Sequence, residues 1–161
     1  MAANLYISSK QIDTILVLDF GSQYTQLIAR RVRESNVYSE ILPWDINEEK
    51  IKLINPKGII LSGGPDSVTN SYTPRIPELV FDLNIPILGI CYGMQTLAEQ
   101  FGGQVISSEK KEFGYSQLNI SADCVLFSNL GKTLNVWMSH GDQVQDLPDN
   151  FDLVAATNSA P

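Results

Sequence analysis

Three apolar runs that end in or beside glycine constrain the fold most. "ILVLDF" (Ile15–Phe20) stops at Gly21, "GIILS" (Gly58–Ser62) at Gly63-Gly64, and "IPILGI" (Ile85–Ile90) at Cys91-Tyr92-Gly93. Short continuous apolar runs have no polar side to turn to water. They read as strands covered on both faces, which is the situation of a parallel sheet. Parallel strands need crossovers, and helical spacing lies between these runs. Tyr24, Leu27, Ile28 and Val32 recur at that spacing between Gln23 and Asn36, with Asn36 as the stop. "VYSEILP" reads as another strand and "EEKIKLINP" as a short helix closed by Pro56. Residues Pro77–Asn84 put Leu79, Val80 and Leu83 on one helical face. After Cys91 a stripe of Met94, Leu97, Ala98 and Phe101 runs to Gly102-Gly103, which ends the helix. The alternation predicts an α/β fold: an open, doubly wound, mostly parallel sheet flanked by helices.

Beyond Gly103 the pattern changes. "FGYSQLNI", "CVLF", "NVWMS" and "FDLVAAT" are short strand candidates, and they predict a mixed or antiparallel extension on the same core. No linker divides the chain. Its 161 residues suit one domain, assigned to residues 15–161 behind a loose extension over residues 1–14.

Charge and composition narrow the function classes. The net charge of -7 opposes nucleic-acid binding, which needs clustered basic side chains. The one basic cluster, Arg30-Arg31-Val32-Arg33, reads as a solvated helix face. No apolar run approaches the roughly 20 residues of a spanning helix. "MAANLYISSKQIDT" lacks the basic-then-apolar order of a signal peptide. Two cysteines and one histidine are too few for a Cys/His zinc site unless carboxylates complete it. Without a secretion signal, the cysteines suggest reduced thiols and a cytoplasmic protein. The expectation is therefore no nucleic acid, no membrane and no metal.

Ligands of open α/β sheets bind beyond the carboxyl ends of the strands. Three such ends are unusual: Asp19-Phe20-Gly21-Ser22, Ser62-Gly63-Gly64-Pro65 and Gly89-Ile90-Cys91-Tyr92-Gly93. The topology allows all three to open onto one crevice. Gly89-x-Cys91-x-Gly93 has the spacing of a nucleophile elbow, with the glycines leaving room around a side chain on a strained turn. The following helix start would favour thiolate and offer N–H groups to an oxyanion. The other reading of Cys91 is a small core residue. Cys124 lacks this context and reads as a core strand thiol. Ser62-Gly63-Gly64-Pro65-Asp66-Ser67 is either an oxyanion turn or a pyrophosphate loop. The sequence "VTNSYTP" after it is a poor helix start, which favours the turn. His140, the only histidine, stands at the end of a strand candidate. From spacing it is equally a catalytic base or a residue closing a turn.

Taken together, these stretches resemble the class I glutamine amidotransferase family. "GICYGMQ" is similar to its nucleophile motif and Ser62-Gly63-Gly64-Pro65 to its oxyanion turn. "DFGSQYTQLIARRVRE", Glu112-Phe113-Gly114-Tyr115 and "VWMSHGD" resemble the GMP synthetase branch of that family. The likeness runs from Ile15 through nearly all of the chain. It implies that Cys91 attacks the amide of glutamine, that N–H groups of Gly63 or Gly64 and of Tyr92 hold the oxyanion, and that Gln95, His140, Gly141 and Asp142 hold the substrate. His140 then belongs to the pocket wall. No cofactor is implied for this domain. ATP and Mg are implied for a separate synthetase (ATP-pyrophosphatase) domain, in the same chain or in another one, which would use the ammonia to aminate XMP. The complete enzyme is expected to be a homodimer.

One part of the family pattern is absent. The base is a histidine in a His-Pro-Glu segment, and that segment is expected beyond Pro161. An incomplete domain is the favoured explanation. The other explanation is a natural variant that has lost catalysis, and the rival functions are a non-catalytic glutamine-binding module and a hydrolase of the same fold.

Overall fold

The computed structural model describes residues 12–158 and 160, with the backbone alone for residues 108–112. The expected loose extension falls almost wholly on residues outside this range.

The chain starts as the apolar runs dictate. Strand β1 (Thr14–Asp19) leads through helix α1 (Thr25–Glu34) to β2 (Tyr38–Pro43), then through α2 (Glu48–Ile54) to β3 (Gly58–Leu61). A long segment and the short helix α3 (Leu79–Asp82) precede β4 (Ile87–Gly89), which turns at Cys91 into α4 (Tyr92–Gln100). These four strands form one parallel sheet in the order β2-β1-β3-β4. Register explains its core. Leu16 and Leu18 stand beside Ile59 and Leu61, so the four share a face. With Phe20 and Leu42 they pack against Ile51 of α2, Val80 of α3 and Tyr92 of α4. Helix α1 covers the other face, where Ser39 Oγ donates to the Ala29 carbonyl at 3.0 Å.

Local chemistry sets the helix ends. The Asn47 side chain accepts from Glu49 N at 2.7 Å and caps α2, while Asn55 takes the left-handed conformation (φ 49°) at its close. Asn36, the expected stop of α1, likewise has φ 60°. The apolar face of α1 differs from the one read off the sequence. Thr25 and Ala29 are buried with Ile28 and Val32 half-buried, whereas Tyr24 and Leu27 are exposed. Tyr24 is the residue before the first helical turn, so helical periodicity does not govern it. Arg30 and Arg31 both pair with Glu34 on the exposed surface and hold its carboxyl below its ordinary value.

The second half departs further from expectation. Strands β5 (Gln104–Ile120) and β6 (Thr133–Asp146) are long and pair antiparallel, with the short β7 (Ala155–Ala156) on the outer edge of β5. The "CVLF" run is not a strand: Val125–Phe127 is a 3-10 turn, with Cys124 just before it. Turning there lets Phe127 N and Ser128 N donate to the carbonyls of Cys124 and Val125. Cys124 is therefore neither on a strand nor fully buried. Of "FDLVAAT" only Ala155 and Ala156 are strand.

Residues 65–77 form a strap without regular structure, anchored to α4 by side chains. The Tyr92 hydroxyl donates to the Pro74 carbonyl at 2.6 Å. Arg75 pairs with Glu99. The Gln100 amide bonds both polar groups of Ile76, accepting from its N–H at 2.9 Å and donating to its carbonyl at 3.0 Å. Val68 and Ile76 bury their side chains beneath the strap. Gln100→Ala should leave two peptide groups unpaired at a largely buried point, destabilising the protein by about 1–3 kcal/mol in denaturant titration.

Candidate active site

Strands β3 and β4 end side by side, and their ends are joined backbone to backbone. Ile90 N donates to Leu61 O and Gly93 N to Ser62 O, each at 3.0 Å. Between these bonds Cys91 has φ 49° and ψ -115°, a region that L-residues seldom occupy. The nucleophile-elbow reading thus has its backbone. The glycines serve a different purpose from the one expected. A Cβ on Gly93 would stand 2.5 Å from the Leu61 carbonyl oxygen, and one on Gly89 would stand 2.6 Å from Met94 Cα. They let α4 start against β3 and close over β4; they do not merely clear space around the sulfur.

The double-glycine turn lies alongside. A Cβ on Gly63 would lie 3.5 Å from Cys91 Cβ, and one on Gly64 would strike the Phe20 carbonyl at 2.6 Å. Among the described residues, the N–H groups of Gly63, Gly64 and Tyr92 have no backbone acceptor. After Gly64 the chain runs as the strap, with no helix until Leu79.

A cavity of about 350 Å³ opens in front of these groups. Gly64, Pro65, Asp66 and Ser67 form one wall, and Cys91, Tyr92 and Gln95 the floor. Phe113 of β5 and Ser139, His140, Gly141 and Asp142 of β6 close the far side. All the sequence-predicted site residues except Gly63 line this one cavity, and Gly63 adjoins it beside Cys91. His140 is inside β6, not at a strand end; the strand continues to Asp146. Its Nδ1 is 3.0 Å from the Asp142 carbonyl oxygen. That same oxygen accepts from Gln95 Nε2 at 3.0 Å, which ties α4 to β6 across the floor.

Of the three strand ends that the topology allows on one crevice, that of β1 does not line the cavity. It buttresses the turn from behind. Asp19 Oδ1 accepts from Gly21 N at 2.9 Å and from Thr25 Oγ1 at 2.7 Å, and Ser62 Oγ accepts from Phe20 N at 3.0 Å. The Phe20 and Tyr92 rings stack obliquely with centroids 5.5 Å apart. A neighbouring, mostly apolar groove of about 410 Å³ shares Cys91, Gln95, Ser139, His140 and Asp142 with the cavity and continues along Met94, Leu97 and Trp137. The expected stripe of α4 divides accordingly: Ala98 is buried, while Met94 and Phe101 stay exposed. Cys124 lines a separate hollow with none of the predicted site residues.

The model of the class I glutamine amidotransferases matches residues 16–160. The chain belongs to this family. It is 56% identical over 147 residues to the glutamine-hydrolyzing GMP synthase of Vibrio cholerae, covering 91% of this chain and 28% of that protein. It is 57% identical over 155 residues to that of Teredinibacter turnerae, covering 91% and 30%. The chain thus spans under a third of the length of these curated relatives. Among solved structures, a candidate GMP synthase subunit from Thermoplasma acidophilum superposes with a TM-score of 0.76 at 30% identity, over 92% of this chain and 75% of that one. A glutamine amidotransferase from Thermotoga maritima shares the fold, with a TM-score of 0.70 at 22% identity, over 93% and 69%.

For an amidotransferase, two features of the cavity are not evident in the sequence. Asp66 and Ser67 stand there only as part of the turn, and Phe113 and Ser139 only within stretches similar to the family's. The antiparallel register that sets Phe113 against Ser139 brings the latter pair in, and no local motif announces it. The thiol also differs from expectation. Cys91 is open to the cavity, yet burial on its protein side pushes the thiol above its ordinary value, and no charged neighbour among the described residues offsets this. A raised value leaves the thiol neutral near pH 7, with thiolate gained only as pH rises through it. Iodoacetamide alkylation of Cys91 should therefore accelerate with pH, with its midpoint above that of a free cysteine. A midpoint below it would show that the helix start dominates.

Proposed function

We propose that residues 15–161 form the glutaminase part of a GMP synthase, which hydrolyses glutamine and supplies ammonia for ATP-dependent amination of XMP to GMP. The observation that carries this reading is the strained Cys91 at the floor of a cavity shared with Gly64, Tyr92, Gln95 and the β6 wall. The Cys91 thiolate attacks the side-chain carbonyl carbon of glutamine. The N–H groups of Gly63 or Gly64 and of Tyr92 donate to the developing oxyanion. The C–N bond breaks, ammonia leaves with an added proton, and a γ-glutamyl thioester remains. Water then cleaves the thioester, giving glutamate and the free thiol.

Gln95, His140, Gly141 and Asp142 hold the substrate. His140 is a wall residue in this reading, supported by the contact of its Nδ1 with the Asp142 carbonyl. The base is then a group other than His140. The names of relatives at 56% and 57% identity support the GMP branch, and their greater length leaves room for a synthetase domain that binds ATP and Mg. Assembly of the complete enzyme as a cytoplasmic homodimer is part of the same proposal. Among the described residues no helix is long and apolar enough to cross a membrane.

Treatment with 6-diazo-5-oxonorleucine should label Cys91 and spare Cys124, as read by peptide mapping. Equal labelling of both would remove Cys91 from its role. In the complete enzyme, Cys91→Ala should abolish glutamine-dependent synthesis and spare synthesis from free ammonia.

His140→Ala in the complete enzyme should raise KM for glutamine more than it lowers kcat. A fall in kcat of about 10²-fold or more at unchanged KM would make His140 the base instead.

A further inference from the structure

Ser62 is fully buried between the end of β3 and the double-glycine turn. Its Oγ donates to the carbonyl of Gly63 at 2.8 Å and accepts from Phe20 N at 3.0 Å. Asp19 Oδ1 lies at 3.5 Å, the longer of two directions open to the single hydroxyl proton. The Asp19 carboxylate is itself engaged by Gly21 N and Thr25 Oγ1, so the shorter bond, to Gly63, takes the proton.

The Gly63 carbonyl and the Gly64 N–H belong to one peptide unit. No cis peptide occurs among the described residues, so the two groups of this planar unit point in opposite directions. Fixing the carbonyl inward therefore fixes the N–H outward, at a residue that lines the cavity. Two glycines in succession leave this peptide free to rotate, since neither flanking residue has a side chain to resist it. The turn needs a lock, and Ser62 is the side chain that bonds its carbonyl.

We propose that Ser62 is a positioning residue that holds the Gly63–Gly64 peptide in the orientation that presents the Gly64 N–H to the oxyanion. This rests on the glutaminase reading of the same cavity, and it selects Gly64 over Gly63 as the donor. Ser62 does not touch the substrate and acts only through the peptide it holds.

The test compares two reactions of the same thiol in the complete enzyme. In the first, the γ-p-nitrophenyl ester of glutamate acylates Cys91: the S–C bond forms through a tetrahedral oxyanion, and p-nitrophenolate leaves with the electron pair. In the second, iodoacetamide alkylates Cys91 by direct displacement of iodide, with no such oxyanion. Loss of a whole donor costs about 10²–10³-fold in typical enzymes, so its misalignment in Ser62→Ala should slow acylation about 10- to 100-fold. Alkylation should stay within about twofold, because it draws nothing from the oxyanion donors. If Ser62→Ala does not fold, Ser62→Cys, which keeps a weaker donor, should show the same split to a smaller degree. Acylation unchanged by the substitution, or both reactions slowed together, would overturn the proposal while leaving the glutaminase reading intact. An unsubstituted complete enzyme that is never acylated at Cys91 would remove both.

Discussion

At Gly93 helix α4 runs so near strand β3 that even a methyl group would penetrate the Leu61 backbone, standing 2.5 Å from its carbonyl oxygen. The Gly93 N–H bonds the next carbonyl, that of Ser62, and shares itself with Ile90 O. With the helix pinned there, one residue must carry the reversal from strand to helix, and that residue is Cys91. A conformation of this kind costs of order 1–3 kcal/mol. The bonds made by Ile90 N, Gly93 N and Gln95 N around it each contribute about 1 kcal/mol net, so the local ladder is enough to hold the strain. The thiol is presented because the helix start leaves it nowhere else to go.

The same contact organises the rest of the cavity. Once α4 is seated, Tyr92 is buried against Phe20 and reaches Pro74, Gln100 reaches Ile76, and Gln95 reaches Asp142. One helix therefore holds the strap on one side and the β5–β6 hairpin on the other. The end of the central strand β1 stabilises the double-glycine turn from behind through Phe20 N, which donates to Ser62 Oγ, and Asp19 in turn holds Gly21 and Thr25. The site is built on element ends whose positions are over-determined, as a site that must hold donors to a fraction of an ångström requires.

Whatever depends on neighbouring residues is legible in the sequence. Apolar runs ending at glycine announce the parallel strands, and Gly-x-Cys-x-Gly announces the strained turn. Features set by distant partners are not legible. The length of β5 and β6 comes from pairing with each other, which no short stretch encodes, so local patterning predicts several short strands where two long ones stand. Leu27 and Met94 fit a helical stripe but face outwards, because Thr25 and Ala29 on α1, and Gly93 and Thr96 on α4, are the small residues that allow close approach to the sheet. Cys124 reads as a core thiol because "CVLF" is apolar. Its segment turns instead of pairing, since Ser121 and Ala122 already donate their N–H groups to the Val154 carbonyl.

The acidity of Cys91 shows where local reasoning reaches its end. A helix N-terminus is worth about 0.3–1 kcal/mol to a nearby anion at an exposed site. In a partly buried geometry the effect reaches about 2 kcal/mol, and one pKa unit is about 1.36 kcal/mol, so the dipole alone moves a thiol by at most about one and a half units. Burial acts in the opposite direction here, and no cation among the described residues lowers the value. Burial therefore opposes the helix start, and the elbow positions the sulfur more than it acidifies it. Efficient glutamine hydrolysis at neutral pH then needs a group that takes the thiol proton as the amide is attacked and returns one to the leaving nitrogen. The only imidazole of the chain has Nδ1 at the Asp142 carbonyl, so as a base it would have to work through Nε2 alone while serving as wall. A nucleophile held in strain beside the double-glycine turn, with burial raising its thiol, describes an elbow that positions the sulfur and leaves its activation to a proton acceptor.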